Sequence, residues 1–585
     1  MQTMAVQIDK QSPLVKIASQ QCIRYLSGDV FGSVVPSSHV FSVTAYLSIA
    51  WLVSSVTVYC SSRSELWITI GKRTQTMPIL HWLNKDAATQ AAAKSAYRLL
   101  EEVPELSYGD KNSENLLIQG DNLEALKALI PFYAGKVKCI FIDPPYNTKS
   151  AFEHYDDNLE HSQWLSLMYP RVELLCELLA EDGSLWATLD DNESHYFKIM
   201  CDEIFGRTNF IGNIVWEKVY TPKNNGRGLS SDHDHILAYA KSPNWFKSGW
   251  NLIPRTDEQK DRFKNPDNDP KGPWRTYPLD VRTEDGAKRE KYRYEVNLPS
   301  GRKVKPAAGR HWVLPKEVFD KAVSNGEIYF GKKGDAMPTK KAYLLEAKQG
   351  VIARTWWTYK EVTGNQDAKR EILALFGDSG FITPKPENLI ARILTIATNK
   401  GDLILDSFLG SGTTAAVAHK MGRRYIGIEM GEHAKTHCQP RLQKVIDGEQ
   451  GGISKSINWQ GGGGFRFCQL GATVFDEFGL LNPYIQFPTL AAHIWFIETR
   501  LPLGKKEPSP LLGIYKDTAY YLLYNGILGD KRPQGGNVLT GKVLESLPSF
   551  DGKKVIYGET TRFSEARLQQ ENITFKQIPY DVKAL

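Results

Sequence analysis

Asp143-Pro144-Pro145-Tyr146 is the tetrapeptide in this 585-residue chain best suited to chemistry. Two successive prolines fix an extended, rigid turn whose first residues cannot continue a strand ladder. The Asp143 carboxylate and the Pro144 carbonyl become rigid acceptors for both hydrogens of an exocyclic amine, and Tyr146 offers a face on which a flat ring can stack. That matters for a nitrogen such as adenine N6, whose lone pair is delocalised into the ring. Acceptors that draw its hydrogens out of plane localise the pair and stabilise the positive charge that develops on attack. The plainer alternative is a strand-ending turn with a surface carboxylate.

A second constellation runs from Asp406 to Met430 (DSFLGSGTTAAVAHKMGRRYIGIEM). A strand enters Gly410-Ser411-Gly412-Thr413-Thr414-Ala415, a helix follows, and a second strand ends in Glu429. Gly410 permits a tight turn, Gly412 lets a ligand approach the backbone, and Ala415 allows close helix–strand contact. Glu429 stands where an acid accepts bonds from two ribose hydroxyls, so the spacing points to an adenosine cofactor. A P-loop is excluded because no Lys-Ser/Thr follows Gly412. A packed turn remains the alternative. His233-Asp234-His235 invites a metal reading, but three adjacent residues on one strand beside a loop are a poor ligand set, and no metal is expected.

Both motifs need strand ends to hold them, and the surrounding pattern supplies these. Asn115–Asn122 reads as a short strand and turn, Leu123–Tyr133 as a helix, Val137–Asp143 as a strand, Trp164–Asp182 as a helix and Ser184–Asp190 as a strand. Ile211–Lys218 and His235–Ser242 read as two more strands. The pattern resumes with the helix ENLIARILTIAT and the strands Leu403–Phe408 and Arg423–Glu429. Short apolar strands alternating with helices indicate an α/β, doubly wound parallel sheet. Between Pro243 and Gln349 the alternation stops. The aromatic content there argues for an inserted domain rather than a linker. Beyond the glycines at 461–464 the chain reads as a separate α+β tail.

Composition excludes collagen-like, mucin-like and disordered chains: 42% of residues are hydrophobic and 24% charged. Seven scattered cysteines, none in a C-x-x-C pair, suit neither a disulfide framework nor a zinc ribbon and fit a reducing cytoplasm. The net charge of +6 is unevenly spread. From Trp216 to Lys360 there are 29 Lys+Arg against 18 Asp+Glu, so a basic block sits in an otherwise acidic chain. A polyanionic partner met by one region explains this, with a solvated lysine-rich surface as the alternative. Residues 30–62 carry no Asp, Glu, Lys or Arg. Val40–Cys60 is long enough for a membrane helix, rich enough in valine and tyrosine for strands, and equally readable as lying outside the functional protein. The change of character at Met77 favours a non-native or weakly ordered extension over residues 1–76.

Asp143–Tyr146 followed by Phe408–Thr414 (FLGSGTT) resembles the S-adenosylmethionine-dependent amino-group DNA methyltransferases of the β type, with the basic region between the motifs. LIQGDNLEALKAL, FIDPPYNT, KPENLIARIL and FKQIPYDVK resemble the modification subunits of Type III restriction–modification systems. The resemblance implies a circularly permuted Rossmann-like fold. Its parts would be a catalytic part (77–242), a target-recognition insert (243–350), a cofactor-binding part (351–448) and an accessory tail (449–585). It implies N6-methylation of a flipped adenine in duplex DNA by an adenine-specific enzyme, with Asp143, Pro144, Pro145 and Tyr146 catalytic. S-adenosylmethionine would meet Asp121 through its adenine and Lys385-Pro386 through its methionine part. Asp406, Phe408, Gly410, Ser411, Gly412, Thr413 and Glu429 would hold the rest. Lys288, Arg289, Lys291, Arg293, Arg302, Lys303, Lys305 and Arg310 become candidates for phosphate contacts. A second copy of the chain and a helicase–nuclease restriction subunit are the implied partners, in the cytoplasm and without a membrane. Cytosine N4, an RNA amino group, a glutamine side chain, or DNA recognition without activity remain as alternatives.

Overall fold

The computed structural model describes residues 41–45, 55–60, 66–71, 79–147, 160–221, 228–282, 290–377, 383–476, 481–504, 507–524 and 536–582. The chain forms two compact units, Met1–Pro78 and Ile79–Leu585. In the first, Phe41–Ala45, Ser55–Cys60 and Leu66–Gly71 pair as an antiparallel sheet. The described parts of the charge-free stretch are thus extended, as β-branched residues favour. Among the described residues no helix is long and apolar enough to cross a membrane.

The second unit is built on one mixed sheet. In chain order its main strands are β1 (Arg98–Glu102), β2 (Leu116–Gln119), β3 (Val137–Ile142), β4 (Leu179–Leu189), β5 (Phe210–Glu217), β6 (His233–Ala240), β7 (Trp356–Trp357), β8 (Leu403–Asp406), β9 (Arg424–Glu429) and β10 (Gly464–Thr473). In space they run β7-β5-β6-β4-β3-β8-β9-β2-β10-β1. The six strands from β4 to β10 in this order are mutually parallel, while β6 is antiparallel to β4 and β5, and β1 to β10.

Side chains alternate between two cores. Leu116, Ile118, Ile140, Ile142, Leu405 and Ile428 face one layer, and Leu117, Cys139, Phe141, Ile404 and Tyr425 face the other. Helices α1 (Asn122–Tyr133), α2 (His161–Leu178) and α3 (Ser194–Cys201) cover the first face through residues such as Leu126, Leu129, Met168, Leu175 and Phe197. Helices α4 (Glu387–Ala397), α5 (Thr413–Lys420) and α6 (Gln439–Ile446) cover the second through Ile390, Ile393, Val417 and Leu442. Both faces are closed, which is what near-continuous apolar strands require. The chain winds away from β3 through α2 to β4 on one side, and from β8 through α5 to β9 on the other. The ends of β3 and β8 therefore border the switch point where ligands of open α/β sheets bind. Because β8 and β9, late in the chain, slot between β3 and β2, the order is that of a circular permutation.

The insert between β6 and β7 is folded. Trp274–Pro278 pairs with Thr339–Tyr343, and Leu279, Val296, Leu298, Val304, Trp312, Phe319 and Ile328 form its own core. The tail differs from expectation at its start. Its first strand, β10, extends the catalytic sheet beside β2 and sends Phe465 and Phe467 into the shared core, so the boundary at 448/449 does not mark the end of the catalytic layer. Its remainder carries a separate four-stranded sheet, Leu511–Tyr515, Thr518–Leu522, Lys553–Gly558 and Ile573–Gln577.

Candidate active site

Register brings the two motifs together: Ile404 and Leu405 of β8 lie opposite Cys139 and Ile140 of β3, so both strands end at one edge. At the end of β8 the Asp406 carboxyl is fully buried, and desolvation pushes it up to about 7 despite a bond from the Phe408 N–H at 2.9 Å. Gly410 (φ +56°) and Gly412 (φ +80°) occupy the left-handed region, and a Cβ on Gly412 would stand 3.3 Å from the Cys438 Cα. Only glycine turns the chain here without strain.

The turn is held from outside. The Cys438 thiol donates to the Gly410 carbonyl (3.1 Å), and Arg441 donates to Thr413 Oγ1 (2.8 Å) and the Ser411 carbonyl (3.2 Å). Arg441 and Lys420 also donate to Glu387, the first residue of α4 after Pro386, at 2.9 and 2.8 Å, and all three are buried. These cations hold the Glu387 carboxyl below the usual range against its desolvation. Glu429 accepts from the Gly410 and Gly431 N–H groups at 2.8 and 3.1 Å, which fixes its carboxylate against the turn. Ser407 Oγ is buried and has no hydrogen-bond partner among the described residues.

At the end of β3, Thr188 on β4 donates to Asp143 Oδ1 at 2.6 Å, and the Lys385 ammonium pairs with Oδ2. The same ammonium lies 5.1 Å from the centroid of the Tyr146 ring. Lys385, expected beside a cofactor, thus stands on the Asp143-Pro-Pro-Tyr146 motif. The Tyr146 hydroxyl donates to Asp234 (3.2 Å), which pairs with Lys218 (2.6 Å). Burial above all, then the Asp143 and Asp234 charges, hold Tyr146 protonated well beyond its ordinary range. Trp164 Nε1 donates to the Pro145 carbonyl (2.8 Å), locking the turn from α2, and the Asn147 amide donates to buried Glu193 (2.7 Å).

Several of these residues escaped the sequence reading. Alternation along β6 was the available signal: it sends Asp234 toward Tyr146 and His233 and His235 to the other side. There His235 meets Asp191 at 2.9 Å, and potential ligand atoms of Asp191, His233 and His235 lie within 4.8 Å of one another. Asp121 caps α1, accepting from the Leu123 and Glu124 N–H groups (2.8 and 3.3 Å), and pairs with Arg171 at 2.9 Å. Its carboxylate is therefore engaged locally, and Asn122 beside it donates to the Ser407 carbonyl (2.8 Å).

Of the candidate phosphate contacts, Lys288 and Arg289 fall outside the described residues. Lys291, Arg302, Lys303 and Lys305 are exposed, whereas Arg293 and Arg310 are half-buried. Arg302 pairs with Asp335 (2.9 Å), Lys303 with Glu295 (3.1 Å) and Arg310 with Asp280.

Residues 137–439 match the family model described as DNA methylase. The chain is 34% identical over 370 residues to the Type III restriction-modification enzyme StyLTI Mod subunit of Salmonella typhimurium, covering 57% of this chain and 55% of that protein. It is 34% identical over 415 residues to the probable HindVI Mod subunit of Haemophilus influenzae, covering 61% and 54%. It is 28% identical over 431 residues to the EcoP15I Mod subunit of Escherichia coli, covering 61% and 65%. The matched region thus spans less than two thirds of the length of each of these relatives.

Proposed function

The chain belongs to the DNA methylase family, and on that premise we propose that it transfers a methyl group from S-adenosylmethionine to N6 of an adenine turned out of duplex DNA. We assign it the part of modification subunit in a Type III restriction–modification system. The observation that carries the reading is the meeting of Asp143-Pro-Pro-Tyr146 and the glycine turn at one switch point.

The residues fit the cofactor. Two left-handed glycines bare the backbone, the Glu429 carboxylate is aimed by Gly410 and Gly431, and the buried Ser407 hydroxyl has no partner among the described residues. When bound, the cofactor supplies a methyl group made electrophilic by its sulfonium. Glu429 serves as ribose acceptor and the turn from Asp406 to Thr413 as its cradle. In the base pocket, Asp143 and the Pro144 carbonyl accept the amine hydrogens, turning the nitrogen lone pair toward the methyl group and stabilising positive charge on it. The held proton makes Tyr146 a stacking surface rather than a base, with Asp234 fixing its hydroxyl and Trp164 fixing the turn. Extracting the base costs a few kcal/mol, which phosphate contacts by the insert help to offset.

Lys291, Arg293, Arg302, Lys303, Lys305 and Arg310 are proposed for those contacts, with Lys288 and Arg289 beside them. Exposed ion pairs are worth about 0–1 kcal/mol, so a phosphate can replace the intramolecular partner. A second copy of the chain and a restriction subunit, met through the tail in the cytoplasm, complete the proposal. The Mod subunit names of the relatives support the restriction subunit as a partner.

The test is direct. The purified chain is incubated with labelled S-adenosylmethionine and unmethylated genomic duplex DNA, and the digested nucleosides are identified by mass spectrometry. N6-methyladenine is the expected product; N4-methylcytosine, or no methylated base, overturns the assignment.

A further inference from the structure

Both oxygens of Asp143 are engaged: Oδ1 by the Thr188 hydroxyl and Oδ2 by the Lys385 ammonium. That ammonium also stands over the Tyr146 ring, where a stacked base would lie. In this arrangement the acceptor and the stacking face are covered by one side chain. Lys385 is itself largely shielded, so the pair persists unless something offers the cation another anion.

The neighbouring strand end is where such an anion would arrive. Asp143 and Asp406 terminate adjacent strands, close enough that the Asp143 charge adds to the cost of ionising Asp406. The Lys385 segment is also tied to the glycine turn. Two residues on, Glu387 is gripped by Arg441, and Arg441 holds Thr413 Oγ1 and the Ser411 carbonyl. The turn and the segment that carries Lys385 are thus joined through one buried side chain. S-adenosylmethionine brings an amino-acid carboxylate as well as its sulfonium.

We propose that Lys385 is an exchange residue, paired with Asp143 in the free protein and handed to the cofactor's amino-acid carboxylate on binding, so that cofactor occupancy uncovers the base pocket. This rests on the reading that the glycine turn takes S-adenosylmethionine. It makes Lys385 a positioning residue that orders the two substrates. Linkage then requires reciprocity: whatever removes Lys385 from Asp143 must tighten binding of a carboxylate-bearing cofactor.

Calorimetry on the full chain tests this without DNA, using sinefungin, which carries the amino-acid carboxylate, and 5′-methylthioadenosine, which lacks it. Asp143→Asn is expected to tighten sinefungin binding at least about fivefold while leaving 5′-methylthioadenosine unchanged. In the Lys385→Met background the same substitution is expected to change neither. Lys385→Gln repeats the comparison should the methionine variant fold poorly. Binding of both ligands with no response to Asp143→Asn, or an equal response with Lys385 absent, overturns the exchange alone. Failure of the unaltered chain to bind either ligand overturns the cofactor reading, and the exchange with it.

Discussion

Charged residues do opposite work in the catalytic sheet and in the basic insert. Around Glu387 the pairs with Lys420 and Arg441 are buried, converge on one carboxylate and end on the glycine turn. In the insert, Arg302 pairs with Asp335, and Lys303 and Lys305 share Glu295, all facing solvent. The first kind is costly to break because the remaining charge is stranded, which makes it a device for fixing geometry. The second contributes little and is readily exchanged, which suits a surface meant to trade protein carboxylates for phosphates. The proposed function asks for both kinds, one to hold an atom in place and one to meet a polyanion.

The contrast can be attacked where it is sharpest. Asp143→Ala is expected to lower the methylation rate at least about 10³-fold, while cofactor and DNA binding persist. Equal loss of all three would mean misfolding. Next in size, Glu387→Gln is expected to cost about 3 kcal/mol of unfolding free energy by urea titration, because Arg441 keeps its charge in the core while Lys420 retains Glu449.

Asp406 sharpens the comparison through pH. The unfolded chain releases this proton near its ordinary 3.8, but the folded chain keeps it to about 7. Between those values the native state binds more protons, so stability falls as pH rises and levels off above 7. From pH 5 to 8 the natural chain is expected to lose roughly 2–3 kcal/mol more than Asp406→Asn, which cannot titrate there. The smallest effects belong to the insert. Lys303→Ala and Arg302→Ala are each expected to reduce the slope of log affinity against log salt by about 0.9, with stability changed by less than about 0.5 kcal/mol.

The sequence showed the fold more fully than the site. The strands 137–143, 184–190, 403–408 and 423–429 are apolar runs with turn signals on both sides, and each is found within a few residues of its expected bounds. The helix expected to reach Asp182 stops at Leu178, because β4 begins there and pairs Leu179 with Val137. The two motifs were legible because their chemistry lies in consecutive residues.

What surrounds them was not, because Thr188, Asp234 and Lys385 reach Asp143 or Tyr146 across sequence separations of 45, 88 and 242. Local pattern has no access to such pairs. Asp121 is different. Its spacing to Glu124 is a helix-start signal, and the capping role it performs was readable. β10 was missed because a glycine run suggested a linker just where the chain turns back into the sheet.

The spatial order β3-β8-β9-β2 also bears on how this protein is made. On the ribosome β2 and β3 emerge early, yet their final places are roughly 14 Å apart, three strand spacings, with nothing between them. The two strands that fill the gap end at Glu429, close to 290 residues after Ile142. At synthesis rates of about 5–20 residues per second that is a wait of roughly 15–60 s. During that interval the base-pocket strand has one bare edge and half a core, a condition that invites wrong pairing. The permutation thus delays completion of the sheet until the insert has been synthesised.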